Sequence, residues 1–225
     1  MVSPARPSAV RRRAWRSPQW PWVALVGAAW IGLVVASAGA HSPGSWALMV
    51  VAMMVPATIP LLRAISFESM WHRRYRSPTL FLAAYLSVWL AVGVAALALW
   101  QLSALAGGGH ALHGAVLTGA ILVVAANWQL APTHRRCLKR SHRTLPLGSR
   151  GRAADRACLR YGAYHGRQCI GACWPLMLAM VPGHSLALMV ALTAFSTWQR
   201  LDRRPSRPVS AGALLVLAAV VVMAG

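Results

Sequence analysis

Four sulfur side chains lie at helical spacing in the second half of the chain: Cys169, Cys173, Met177 and Met180. An α-helix turns about 100° per residue, which places all four within a sector of about 80°. Thiolate and thioether sulfurs are the ligands that Cu(I) and other soft transition metals prefer. The stripe therefore predicts a soft-metal site. The alternative interpretation is that cysteine and methionine here only pack an apolar helix.

Further candidate ligands occur in two other stretches. Met49 and Met53 are four residues apart and would share one face of a helix. Met residues at this spacing line Cu(I) paths in copper transporters, which is an analogy. Cys137 follows His134 within a run of basic residues, and positive charge favours the thiolate form of a cysteine. We therefore expect an ion to pass between the Met pair, the sulfur stripe and Cys137, in either direction.

The composition indicates an all-α, polytopic membrane bundle. Hydrophobic residues make up 57% of the chain and charged residues 12%, which is typical of an integral membrane protein. Residues 1–19 are predicted to be a disordered basic tail, residues 20–225 a single membrane domain, and residues 132–167 a basic cytoplasmic loop. Apolar runs predict seven spans, at about 20–40, 45–65, 79–105, 115–131, 168–182, 184–198 and 209–225.

The basic residues predict how these spans are oriented. The net charge is +20, with 23 Lys and Arg against three acids. With seven spans every Lys and Arg falls on one side, which predicts a cytoplasmic N-terminus and an external C-terminus. We predict the anionic lipids of the inner leaflet as partners, rather than nucleic acid. The first run also has the small-residue end of a signal peptide at residues 38–40, although we favour its retention.

Several classes of chemistry find no support in the sequence. The three acids, Glu68, Asp155 and Asp202, all fall in predicted cytoplasmic loops, so no carboxylate pair lies in the membrane. No phosphate-binding loop is present, so we predict no nucleotide cofactor and no enzymatic activity. The four cysteines fall on the reducing side, where thiols remain free. Four histidines fall on the external side, either as collectors of a borderline metal or as neutral loop residues: His41, His110, His113 and His184.

Three motifs point to a known family. They are Ala52-Met-Met-Val-Pro56 with Pro60, the run Pro132-Thr-His-Arg-Arg-Cys-Leu-Lys-Arg140, and Gly162-Ala-Tyr-His-Gly166 leading to Cys169-Ile-Gly-Ala-Cys-Trp-Pro-Leu-Met177. Over residues 45–200 the chain resembles an uncharacterised bacterial family of predicted metal-binding integral membrane proteins. The resemblance implies metal binding in a bacterial inner membrane, with a metal-donor or metal-acceptor protein as partner.

The chain departs from the pattern of this family at three places. Ser141 stands where the family has a second loop cysteine, and Ala172 stands where it has two adjacent cysteines. A Glu-Lys pair is replaced by Gln199-Arg200. Each departure removes a soft or an acidic ligand. Two alternatives to a Cu(I) carrier thus stay open: a non-catalytic membrane scaffold, and a thiol redox protein using Cys169 and Cys173, which would need local distortion to form a disulfide.

Overall fold

The computed structural model describes residues 18–35, 42–69, 71–105, 113–141, 151–182, 185–201 and 207–224. The chain is all-α, as the sequence predicts. The described ranges contain nine α-helices: α1 (Trp20–Val35), α2 (Pro43–Met54), α3 (Ile59–Glu68), α4 (Arg76–Leu105), α5 (His113–Leu130), α6 (Pro132–Ser141), α7 (Gly151–Leu178), α8 (Leu186–Leu201) and α9 (Arg207–Ala224). Short 3-10 turns at Pro56–Thr58 and Trp71–Arg73 precede α3 and α4.

Local sequence sets both ends of α2. Ser42 caps the helix, since its hydroxyl accepts the Ser45 N–H at 3.0 Å while the Ser45 hydroxyl accepts the Ser42 N–H at 3.2 Å. The helix ends at Met54 because Pro56 has no N–H to continue the ladder. The Thr58 hydroxyl donates to the Val55 carbonyl at 2.8 Å, within the 3-10 turn that follows the end of α2. The broken backbone leaves Met54 in the last position of α2.

Helices α4 and α7 form the largest helix pairing and run parallel. Three contacts follow one another in the same order along both helices: Arg76 with Asp155, Phe81 with Gly162, and Tyr85 with Cys169. The approach is close at Gly162, where a Cβ atom would collide with the Phe81 carbonyl. Only glycine therefore fits at this crossing without moving one helix. This pairing fixes how deep each residue of α7 lies relative to α4.

The number of membrane spans is smaller than predicted. One helix, Arg76–Leu102 with a mean hydropathy of 2.2, is long and apolar enough to cross a membrane. Up to three spans result if two bent pairs each count as one: Pro43–Met54 with Pro56–Glu68, bent by 40°, and Gly114–Leu130 with Pro132–Ser141, bent by 76°. The prediction of seven spans is therefore wrong for the described residues. Sidedness stays a prediction.

The physical reason lies in helix length and charge. Helices α1 and α8 have 16 residues each, whereas a hydrocarbon core requires about 20. Helix α7 is long, with 28 residues, but its first half carries arginines. It begins at Gly151, and together with α6 it makes most of the stretch predicted as a loop, residues 132–167, helical. A count of apolar runs treats the apolar second half of such a helix as a separate span and its polar first half as a loop.

The core is rich in sulfur. Tyr85 and Trp89 of α4 lie at its centre and are completely buried. Around them the same cluster contains eight Met and Cys side chains from α2, α7, α8 and the turn after α7: Met49, Met53, Met54, Cys169, Cys173, Met177, Met180 and Met189. Many large apolar side chains on α4 and α9 point outward instead, as expected of surfaces that face lipid.

Candidate metal centre

The second half of α7 carries most of the sulfur stripe. Cys169, Cys173 and Met177 lie on this helix, which ends at Leu178. Met180 therefore lies in the following turn, where its N–H donates to the Met177 carbonyl at 3.2 Å. All four sulfur side chains are buried. The stripe is thus three residues on one helical face and a fourth residue in the adjoining turn.

A proline sits inside this part of α7. Pro175 has no N–H to donate to the carbonyl of Gly171, one turn earlier. The indole N–H of Trp128 on α5 donates to that carbonyl instead, at 3.0 Å. The Trp128 ring also packs against Trp174 with centroids 5.5 Å apart. The carbonyl that the proline releases is therefore satisfied by a neighbouring helix, which holds α5 beside the two cysteines.

Cys169 is the centre of the site. Its Sγ lies 3.1 Å from the Tyr85 hydroxyl of α4 and 3.9 Å from Met54 Sδ at the end of α2. The third neighbour is Arg200 of α8, whose Nη2 lies 2.5 Å from the same sulfur. Three helices that are distant in sequence thus converge with α7 on one completely buried thiol.

Arg200 contacts both cysteines. Its Nη2 lies 3.8 Å from Cys173 Sγ, and the side chain is only partly buried. The side-chain amide of the preceding residue, Gln199, donates to Oε1 of Gln129 on α5 at 2.8 Å. No carboxylate of the described residues pairs with Arg200, since both ion pairs among them involve Asp155. The guanidinium therefore faces sulfur.

The structure does not bring Cys137 to this pair. Cys137 Sγ lies against Gly171, only 2.6 Å from where a Cβ of that residue would be. Gly171 is two residues from each cysteine, so it points to the opposite side of α7. His134, one turn before Cys137, is buried, and neither of its ring nitrogens has a hydrogen-bond partner within the described ranges.

The fourth cysteine belongs to a different environment. Cys158 is buried in the first half of α7, and burial raises the pKa of its thiol. Nearby, Asp155 pairs with Arg73 and Arg76. A buried, protonated thiol is typical of a packing residue. All four cysteines are free thiols.

Among the methionines, the contact with Cys169 is made by Met54 rather than by the predicted pair. Met49 and Met53 are both completely buried in the same core. Met53 precedes Met54 and points about 100° away from it around α2. Met177 and Met180 are also buried in that core. All four therefore belong to the same core cluster as the two cysteines, and their role as ligands stays a prediction.

Most of the predicted external histidines fall outside the residues that the structure describes. His41, His110 and His184 lie outside the described residues, and His113 is the first residue of α5. On α7, His165 packs against the rings of Phe81 and Tyr85, each at 5.6 Å between centroids. It lies one turn before Cys169.

Sequence reasoning missed three neighbours of Cys169: Met54, Tyr85 and Arg200. A signal existed for two of them. Met54 stands beside Met53 at the proline break, and Arg200 is in the pair that departs from the family pattern. Tyr85 gives no signal, because an apolar run with one tyrosine is ordinary for a long helix.

The donor set fits a soft ion. Within the described ranges no three His, Cys, Asp or Glu side chains cluster, which is unlike the set that a zinc or magnesium site uses. Cys169 contacts Met54, and Cys173 lies one turn further along α7 in the same buried cluster. Thiol and thioether ligands suit Cu(I) better than harder ions. The class that the fold and site define is an all-α protein with a buried cluster of sulfur side chains.

A comparison with protein families agrees. The family model described as PpoB2, copper chaperone, matches residues 44–223. The chain therefore belongs to the PpoB2 copper chaperone family, and this membership indicates copper binding or transfer. It supports the metal-binding part of the resemblance and agrees with the prediction of a non-catalytic protein. Searches of the curated proteins and of the solved structures find no match.

Proposed function

We propose that this protein binds one Cu(I) ion between Cys169, Cys173 and Met54 and transfers it to an acceptor protein. The two thiolates supply the negative charge and the main bonds, and the thioether completes the coordination. The observation that carries the proposal is the contact between Cys169 Sγ and Met54 Sδ, 3.9 Å apart, which joins two sulfurs 115 residues apart in the chain.

The distance between these sulfurs suits a shared metal. Metal–thiolate bonds are about 2.3 Å long at zinc, and bonds of that length separate two sulfurs by roughly 3.8 to 4.0 Å in tetrahedral or trigonal geometry. The pair at 3.9 Å therefore needs little movement to share an ion. Cys173 follows Cys169 by one turn on the same face of α7.

Transfer is favoured over storage by the small number of ligands. Two thiolates and one thioether leave room for a thiol of an acceptor to join before the first ligand leaves. Met49, Met53, Met177 and Met180 surround the site with further weak ligands. Cys137 and His134 of α6 are proposed as a separate position that an ion reaches only after leaving the pair, because Cys137 lies against the opposite face of α7.

The test is a copper titration of the purified protein in detergent under reducing conditions. Cu(I) is supplied from a coloured chelator, and bound copper is measured by metal analysis. Wild type should retain one Cu(I) that the Cys169→Ser/Cys173→Ser variant loses, because serine oxygen is a poor ligand for a soft ion. The matched control is Cys158→Ser, which removes a buried thiol of the same helix and should bind as wild type does.

Two outcomes would contradict the proposal. Unchanged copper stoichiometry and affinity in the double variant would show that the metal binds elsewhere. Absence of copper in wild type, together with a membrane protein that co-purifies in constant ratio, would favour the scaffold function. A shift of copper onto an added thiol acceptor, faster than from a small-molecule complex, would support the transfer step.

A further inference from the structure

Arg200 occupies the place beside the cysteines that a metal ion would need. Its Nη2 lies 2.5 Å from Cys169 Sγ and 3.8 Å from Cys173 Sγ. It is the penultimate residue of α8, so its side chain reaches the sulfurs from the end of that helix. Part of the side chain remains accessible to the surroundings. Arg200 is therefore a half-buried cation in contact with a completely buried thiol.

The charge of Arg200 requires an anion. A guanidinium stays ionised in proteins, and a charge in a dry site is costly unless it is paired. Asp155 is already shared by Arg73 and Arg76. Gln199, the neighbour of Arg200, turns away to Gln129. Within the described residues, the sulfur of Cys169 is the atom against which this cation lies.

We propose that Arg200 is a displaceable cation of the copper site: Cu(I) takes its place at Cys169 and Cys173, and its return to Cys169 assists release. This inference rests on the proposed function. The two thiolates carry two negative charges, which Cu(I) and the guanidinium, shifted outward but still nearby, balance together. The Cu–S bonds form at Cys169 and Cys173, any thiol proton leaves to water, and copper remains Cu(I) throughout.

The side chain is suited to such movement. Arginine has a long apolar stem that can stay packed while its head moves. A guanidinium is a hard, hydrogen-bonding cation that water and lipid headgroups also stabilise. A thiolate prefers a soft metal. The guanidinium of Arg200 therefore binds the cysteine sulfurs weakly enough for Cu(I) to displace it. Its return to Cys169 still stabilises the copper-free state once an acceptor has taken the metal.

The first test is an arginine footprint of the wild-type protein. Copper-free and Cu(I)-loaded samples are treated with phenylglyoxal, and modified arginines are identified by mass spectrometry. Modification of Arg200 should rise several-fold on copper loading, because its head leaves the sulfurs. Arg73, which is held by Asp155, is the internal control and should not change. Because no variant is involved, the result does not depend on the folding of a mutant.

The second test measures transfer of Cu(I) to a competing chelator at fixed pH. Arg200→Gln should slow transfer roughly tenfold, the low end of what a hydrogen bond to a charged group contributes. Arg200→Lys retains the charge and should transfer at close to the wild-type rate. Unchanged transfer in Arg200→Gln would overturn the inference, as would equally slow transfer in Arg200→Lys.

These outcomes separate the inference from the proposed function. If Cys-dependent copper is bound but Arg200 is no more reactive than before, the inference fails and the copper site stands. If neither wild type nor Arg200→Gln binds Cys-dependent copper, both fail. If Cys-dependent copper binds to Arg200→Gln but not to wild type, competition between Arg200 and Cu(I) for the two cysteines is supported. In that case Arg200 closes the site in the wild-type protein, and the proposed function fails.

Discussion

Both halves of α7 contact arginine side chains, but the first half does so through a carboxylate and the second through a thiol sulfur. In the first half, Asp155 pairs with Arg73 and Arg76. In the second half, Cys169 faces Arg200 and a methionine. The residues at 155 and 169 lie on nearly the same side of the helix, about 21 Å apart along its axis. One helix thus carries a hard ion pair and a soft site.

The difference shows what each half can do. A carboxylate and a guanidinium match in hardness and geometry, so Asp155 and its arginines are a stable pair with no reason to exchange. A thiolate and a guanidinium match only in charge, so a soft metal can replace the arginine. The first half therefore holds α7 against α4, and we propose that the second half exchanges its cation. Three predictions test this division.

The largest effect is expected at the carboxylate. Asp155→Asn leaves Arg73, which is nearly buried, without its anion, and should lower the free energy of unfolding by about 3 kcal/mol. The measurement is chemical unfolding in detergent. Copper stoichiometry of the folded fraction should not change. The matched control is Arg76→Gln, whose side chain is 63% exposed and should cost less than about 1 kcal/mol. Equal losses in both variants would show that the buried pair has no special role.

An intermediate effect is expected at the thioether. Met54→Leu keeps the volume of the side chain but removes the sulfur beside Cys169. Cu(I) affinity, measured by chelator competition, should fall about tenfold, or roughly 1.4 kcal/mol. Met53→Leu is the control, because it removes the neighbouring sulfur that sequence spacing had favoured. A larger loss in Met53→Leu than in Met54→Leu would mean that Met53 is the true ligand.

The smallest effect is expected at Tyr85. Tyr85→Phe retains the ring and removes the hydroxyl that lies 3.1 Å from Cys169 Sγ. The copper-free protein should lose about 1 kcal/mol of stability, the usual contribution of one hydrogen bond. Copper affinity should change much less than in Met54→Leu, because the hydroxyl is no metal ligand. Tyr75→Phe, at an exposed ring outside the site, should leave both quantities unchanged. A loss of copper affinity as large as that of Met54→Leu would place the hydroxyl in the binding step.

Helical content and the sulfur-rich character of the core could be predicted from sequence. The apolar run that begins near Thr79 becomes the one helix with enough length and hydropathy to cross a membrane by itself. The spacing of Cys169, Cys173 and Met177 placed them correctly on one face of a helix. The count of seven spans failed because apolar runs say nothing of where a helix bends or starts. Helix α7 continues across the polar stretch that separated two predicted elements.

The candidate ligand set shows the same limit of prediction from sequence. Residue types alone favour a soft metal, since sulfur is abundant and carboxylates are rare. Which sulfurs meet was decided by the crossing of α7 with α4 and by the proline break that ends α2 at Met54. The position of Arg200 was decided by the packing of α8. Contacts between residues far apart in the chain depend on how helices cross, and periodicity within one helix carries no information on that crossing.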